Sequence, residues 1–449
     1  MRANLSVVNF FKLELNKTNF SRELMAGLTT FITMAYIVII EPQMLAQAGM
    51  SLQQSFWVVA LVAAFSSILC GLVSNLPFAL APGLGLLSFF SYVVVQKMGL
   101  PYQAGLAAVF ISGLLFFAIT ITRIRQMILE SIPHSLGCAI AAGIGFFIGL
   151  IALRNINLII SSPVTLVQLG AVDTPSIILF FIGFLIIAIL DRKNIPGAIL
   201  IGILLVSVLG IIFHVSEFHG VFSLAHPFSS HNFDGFDNFD GFNLKNLNIF
   251  NNFDFHALNN KQAWPLIFTF LIVALFDSTG TMLGLSHQMG QGKPEIQKIN
   301  KALLAESIAT TASSFLGATT AAAFVESASG IRAGGRTGLT AVVVGLLFLL
   351  TLFFFPLAES VPNYATACGL FYVSCMMIRP FAKVNWEDAA EFIPAVITLL
   401  MIPLTFSIAD GVGLGLICYW VLKIASGKIK TMHPMLWILT GVFIIYFMI

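Results

Sequence analysis

The chain has 449 residues, of which 58% are hydrophobic and only 9% charged, and 22 Lys and Arg against 20 Asp and Glu leave a net charge of +2. A soluble domain carries about 25% charged residues, so this composition excludes a water-soluble enzyme or regulator, and so small a charge gives no reason to expect nucleic acid as a partner. Apolar runs of about 16 to 22 residues recur along the chain, the length of a membrane-crossing helix, and predict an all-α polytopic membrane protein.

In chain order the first runs are 24–40, 56–73, 77–95, 103–121, 138–153, 176–190 and 197–213. After a long polar loop a second set follows at 264–283, 302–316, 318–331, 339–357, 364–378, 392–406 and 412–424, with a short run, 435–449, at the end. The expectation is about fourteen transmembrane segments. No cleavable signal peptide is expected, because the first twenty residues are polar and carry Lys12 and Lys17. The cysteines, Cys70, Cys138, Cys368, Cys375 and Cys418, are scattered without CxxC spacing and read as buried free thiols, with no metal site.

Basic residues set the orientation. Lys12, Lys17 and Arg22 precede the first run, Arg123 and Arg125 follow the fourth, and Arg192 and Lys193 follow the sixth. Lys293, Lys298 and Lys301 follow the eighth, Arg332 and Arg336 the tenth, and Lys423, Lys428 and Lys430 the fourteenth. All lie on one side if the N-terminus is cytoplasmic, with Arg154 the main dissenter. Seven runs per half is an odd number, so the second half enters the membrane from the opposite side. Two inverted seven-helix repeats are a transporter's architecture.

The third and tenth runs hold matching places in these repeats, and both are interrupted. The third, LPFALAPGLGLLSFFSYVVV, breaks at Pro82, Gly83 and Gly85; the tenth, TTAAAFVESASGIRAGGRTG, is short and rich in small residues. Irregular backbone at membrane depth is tolerated only where protein or a water-filled cavity satisfies it, so paired interruptions point to a central binding site. The blander alternative is two kinks with close helix packing. The loop 214–261 repeats Phe-Asp-Gly/Asn units and gathers His214, His219, His226, His231 and His256, but lacks the closing glutamate of a calcium loop. It reads as low-complexity outer loop without chemistry.

Three carboxylates are singled out within or at the end of apolar runs, where an ionisable group usually faces a cavity and serves function. Asp277 lies in IVALFDSTGTMLG, Glu326 beside the break of the tenth run, and Glu41 in IVIIEPQML. Glu41 precedes Pro42 at the end of its run, so a solvated boundary position is open beside a functional one. If the chain is extended through TTAAAF and helical thereafter, Glu326 sits at a first helical turn among free backbone N–H groups. Two carboxylates near one cavity favour protonation of one of them, which makes Asp277, Glu326 and Glu41 candidates for proton coupling. No GxxxxGK[ST] motif is present, so drive by ATP within this chain is not expected.

The motifs RELMAGLTTFITMAYIVII, LAPGLGL, LFDSTGT, VESASGIRAGGRTGLTAVVVGLLFLL and PLTFSIADGVGLG together resemble the AzgA-like branch of the nucleobase:cation symporter-2 family, the adenine, guanine and hypoxanthine permeases. The resemblance implies short strands followed by half-helices in segments 3 and 10, with a purine bound between them against segment 8. It implies a core domain from 22–125 (spans 1–4) and 262–358 (spans 8–11). It further implies a gate domain from 133–213 (spans 5–7) and 362–425 (spans 12–14), the loop 214–261 and the tail 434–449 standing apart.

By position it makes Asp277 and Glu326 the acidic substrate-binding residues, with Phe324 and Ala323 flanking the base and Ser278 and Thr281 supporting Asp277. The family usually has asparagine where this chain has Leu87 and Glu41; Ser88, beside Leu87, offers a partial replacement at the site. The expected activity is secondary active import of purine bases by proton symport, in the plasma membrane, with no cofactor other than the proton. The expected partners are a purine base, a proton and the bilayer, a homodimer being open. A carrier of another nucleobase or a small anion on the same fold, a channel and an intramembrane enzyme are the rivals.

Overall fold

A computed structural model describes residues 8–122, 133–218, 220–221, 253–258, 263–289, 296–428 and 432–448. Most of the Phe-Asp-rich loop, together with Arg123, Arg125, Lys293 and Lys430, lies outside the described residues.

Helices α1 (Phe20–Met34) and α2 (Ile37–Ala46) form one broken apolar unit, followed by α3 (Leu52–Ser74). Strand β1 (Leu80–Pro82) leads into α4 (Leu84–Ser88), which continues as π-helix over Phe89–Lys97. Next come α5 (Tyr102–Ile121) and α6 (His134–Asn155), a hairpin of β2 (Ile159–Ser162) and β3 (Leu166–Leu169), and then α7 (Pro175–Arg192) and α8 (Ala198–Ile212). The second half runs through α9 (Ala263–Gln288), α10 (Ile296–Leu316), β4 (Ala321–Ala323), α11 (Ser327–Arg332), α12 (Gly338–Thr351) and α13 (Phe355–Glu359). It closes with α14 (Asn363–Ile378), α15 (Ala389–Thr405), α16 (Ile408–Ala425) and α17 (Pro434–Met448).

Each of the fourteen predicted runs coincides with a helix or with a strand–helix unit. Among the described residues nine helical stretches are long and apolar enough to cross a membrane, and Leu84–Lys97, Ala198–Ile212, Ala389–Thr405 and Pro434–Met448 are shorter apolar helices. The β2–β3 hairpin was not expected. Nor was the exposed position of Cys375: Cys70, Cys138 and Cys368 are buried as predicted, and all five thiols are free.

The interrupted segments meet each other. Strands β1 and β4 pair antiparallel, Leu80 opposite Ala323, Ala81 opposite Ala322 and Pro82 opposite Ala321, all six residues buried. A two-stranded ribbon at this depth leaves outer backbone groups to be satisfied, and the flanking helices do it with hydroxyls. From α3, Ser67 Oγ accepts from Leu80 N–H (3.0 Å) and donates to Leu80 O (2.7 Å), while Ser66 Oγ shares its proton between Val62 O of its own helix (2.6 Å) and Leu80 O (3.0 Å). From α10, Thr310 Oγ1 donates to Ala321 O (3.2 Å) and Ser313 Oγ to Thr319 O (2.6 Å). Ser66, Ser67, Thr310 and Ser313 of these two helices are therefore backbone partners for the ribbon. Ser67→Ala is expected to cost about 1–3 kcal/mol by orphaning the Leu80 N–H. A lowered thermal unfolding midpoint in detergent would register this; an unchanged midpoint would show that the strand does not depend on it.

Glu23 anchors the same region. It is 0% exposed in α1, and its carboxylate accepts from Arg336 N–H (2.9 Å), Thr337 N–H (3.2 Å) and the Thr340 hydroxyl (2.6 Å) at the start of α12. Asn75 Oδ1 takes the next donor, Gly338 N–H, at 2.8 Å. At this crossing a Cβ on Gly338 would run into the Gly71 carbonyl, so the contact between α3 and α12 requires glycine.

Packing sorts the helices into two groups. One is α1, α3, α5, α9, α10, α11 and α12 around the ribbon; the other is α6, α7, α8, α14, α15 and α16. On α16, Lys423 pairs with Glu391 (3.0 Å) and Asp388 (3.5 Å), and Lys428 with Asp388 (3.1 Å). The hydrogen bond from Lys428 holds the Asp388 carboxyl below the usual carboxylate range.

Candidate functional site

The site grows from the break in the first apolar unit. Between α1 and α2 the chain turns at Ala35 and Tyr36, and Tyr36 is 1% exposed. Its hydroxyl donates to Glu326 Oε1 at 2.7 Å. Three residues earlier, Thr33 Oγ1 lies 2.9 Å from Ser329 Oγ. These two contacts, with Gly330 packed against Ala26 and Thr30, set α1 in register against α11.

Glu326 stands where the sequence predicted, at the entry of the half-helix. It is the N-cap residue of α11, its carbonyl accepting from Ser329 N–H (2.9 Å) and the Ser329 hydroxyl (2.7 Å), while its side chain makes no capping bond. The carboxylate is thus left for Tyr36 and for the space beside it. Ala323 and Phe324 are buried, with the exposed Val325 between them and Glu326, and Phe324 N–H donates to Ala79 O at 3.1 Å, extending the ribbon.

Asp277 projects from α9, which packs against β4, α11 and α4. It is half-buried, and the positions that share its face, Gly280, Thr281, Gly284 and His287, are exposed or half-buried. A Cβ on Gly280 or Gly284 would meet no described residue within 4 Å. Lipid-facing helix surfaces look different: on α7 the exposed residues are Ile178, Phe181, Ile182, Leu185 and Ile189. A face of Asp, Gly, Thr, Gly and His is unsuited to hydrocarbon, which makes it a candidate water-facing surface beside Asp277, although Leu283 next to it is exposed as well.

Several expected roles change. Ser278 does not support Asp277; its hydroxyl donates to Glu306, a fully buried acid on α10. Ser88 donates back to Leu84 O at 2.7 Å and is 0% exposed, so its hydroxyl is spent within its own helix, and Leu87 beside it is equally buried. Thr281 lies on the open face with Asp277. Glu41 is not a solvated boundary residue: α2 runs on through Pro42 to Ala46, and Glu41 is 0% exposed.

Tyr36 and Glu306 were missed. Glu306 lies inside the run 302–316 and meets the same criterion as Asp277. Tyr36 carries no local signal, since an interior tyrosine gains its meaning only from the acid it meets 290 positions away. Among the described residues no group of His, Cys, Asp and Glu could hold a metal ion.

Near where α2, α6 and α15 terminate, polar bonds link α2 and the π-helix Phe89–Lys97 to the second packing group. Asn155 donates to Tyr92 Oη (2.9 Å), Thr366 to Gln43 Oε1 (2.6 Å), and Lys97 Nζ to Thr405 O (2.6 Å). The open face of α9 runs from Asp277 toward Gln288, at the opposite end.

Comparison with known proteins gives a consistent picture. The model of the Permease family matches residues 21–414. The chain is 42% identical to the adenine permease AdeP of Escherichia coli over 437 residues, 97% of this chain and 94% of that protein. It is 35% identical to the guanine/hypoxanthine permease PbuO of Bacillus subtilis over 444 residues, 97% of this chain and 99% of that protein. In fold it is similar to the transmembrane domain of the cyanobacterial bicarbonate transporter BicA, with a TM-score of 0.59 at 15% identity over 88% of this chain and 96% of that one.

Proposed function

Because the chain belongs to the Permease family, we propose that it imports purine nucleobases together with protons, exposing one central site alternately to the two sides of the plasma membrane. The observation that carries this reading is the acid pair: Asp277 on an open polar face and Glu326 at the end of the paired strands, on elements packed against each other. Carboxylates accept hydrogen bonds from the ring N–H and exocyclic amino groups of a purine, and the alanines of β4 let a flat ring approach the backbone. Phe324 supplies an apolar neighbour for the ring. The same acids disfavour the anion-carrier reading that the fold alone would allow, since an anion would meet Asp277 and Glu326 without an opposing cation in the described contacts.

The two packing groups act as core and gate in this reading. The bonds Tyr92–Asn155, Gln43–Thr366 and Lys97–Thr405 close the outer entrance, and the face from Asp277 to His287 forms the inner one, with the N-terminus in the cytoplasm. Alternating access requires the outer bonds to break as the core moves, and their replaceability by water keeps that step inexpensive.

A proton crossing 100 mV contributes about 2.3 kcal/mol, enough for roughly fortyfold accumulation of a neutral base. Proteoliposomes with an imposed inward proton gradient are therefore expected to concentrate labelled adenine, guanine or hypoxanthine, with mutual competition and collapse on adding a protonophore. Uptake that only equilibrates would identify a channel. Competition by uracil, sulfate or bicarbonate but not by purines would identify another carrier.

A further inference from the structure

Among the described residues three acids are wholly buried besides those of the open site, and they differ in their partners. Glu23 receives three donors and Glu306 receives the Ser278 hydroxyl. Glu41 is 0% exposed, and neither of its carboxyl oxygens has a hydrogen-bond partner. It stands on α2 just beyond Tyr36, whose hydroxyl is already given to Glu326.

An ionised carboxylate without a donor at zero exposure is among the most unfavourable arrangements a fold can hold, and a buried charge is found paired or neutralised. Among the described residues no cation pairs with it. Helix α2 packs most closely on α3, α4 and α14. Of their ionisable groups α3 offers Cys70, α4 none, and α14 Tyr364, Cys368, Tyr372 and Cys375.

We propose that Glu41 is the binding site of the coupling proton: it holds one proton while the outer entrance is closed, beside the carboxylate that receives the base. The proposal rests on the permease reading above and selects one acid from the three candidates. The Tyr36 hydroxyl is engaged with Glu326 and leaves Glu41 without a donor. While Glu326 remains an acceptor for Tyr36 and the base, the proton resides on Glu41, so the pair carries a single negative charge. Movement of the core that brings Glu41 to the opposite aqueous side releases that proton to water, leaving the carboxylate to be solvated there.

The test uses the purified full-length protein and Glu41→Gln, which keeps the side chain's volume and is permanently neutral. Infrared spectra of wild type are expected to contain the C=O stretch of a protonated carboxylic acid that is absent from E41Q. In proteoliposomes E41Q is expected to retain adenine counterflow while its proton-driven accumulation falls from about fortyfold to none, and its adenine affinity should no longer weaken as pH rises. Tyr36→Phe is expected to keep the infrared band, since the proton is on Glu41. A band unchanged in E41Q, accumulation with wild-type pH dependence in E41Q, or wild-type affinity set by sodium instead of pH would overturn the assignment. A wild type that neither exchanges nor binds purines would overturn the permease reading instead, and the infrared comparison would still decide where the proton sits.

Discussion

Glu326→Gln and Asp277→Asn are each expected to abolish concentrative purine uptake while leaving a folded, membrane-inserted protein. The amide at 326 preserves the side chain's volume and keeps an oxygen to accept from Tyr36, so the register of α1 on α11 survives through that bond and through Thr33–Ser329. What it loses is charge. A hydrogen bond to a charged acceptor contributes about 1.5–3 kcal/mol, so loss of even one such bond to a purine N–H lowers affinity about 10- to 150-fold. The amide also presents an N–H₂ group to a base edge that itself donates. Asp277→Asn acts similarly from the opposite wall and, because its face is open, should perturb packing even less. Equilibrium binding of adenine to the purified variants, with size-exclusion profiles and unfolding midpoints alongside, measures both halves of the statement. Wild-type affinity and uptake in either variant would remove that residue from the site.

Glu23→Ala is expected to have the largest effect on stability. The substitution strands the N–H groups of Arg336 and Thr337 and the hydroxyl of Thr340, all of which end on this one carboxylate in a place closed to water. Removing one partner of a buried, charge-assisted network costs about 3–5 kcal/mol, and here it loosens α12 from α1 beside the binding region. A clear fall in unfolding midpoint and in membrane yield is predicted. Glu23→Gln should fall in between, because one oxygen can still accept from backbone while the amide group faces donors. Alanine with a wild-type midpoint would mean that α12 is held by helix packing alone, chiefly at the Gly71–Gly338 crossing.

Much of the fold was legible because lipid imposes strict rules. Hydrocarbon demands long apolar helices, so the nine long spans among the described residues announced themselves by length, and the prolines and glycines of 77–95 and 318–331 marked backbone that water or protein had to satisfy. The candidate acids Asp277 and Glu326 were visible for the same reason, being too costly to place idly. Ser66, Ser67, Thr310 and Ser313 gave no such signal. A serine in a membrane helix ordinarily bonds its own backbone, as Ser88 does with Leu84, and nothing local distinguishes one that reaches a neighbouring strand. Glu23 was overlooked because it precedes the first apolar run by one residue, where a charged side chain at a helix start is ordinary.

The sequence by itself determined that the chain is a helical membrane protein with two interrupted segments at equivalent places, because composition and apolar length act residue by residue and need no partner. Only the tertiary structure decided that β1 pairs with β4, that Tyr36 meets Glu326, that Ser278 turns to Glu306, and that Glu41 is sealed from water. Those outcomes depend on contacts between positions far apart in the chain, and the fate of a polar group at membrane depth follows from which donor or acceptor the fold brings within hydrogen-bond reach.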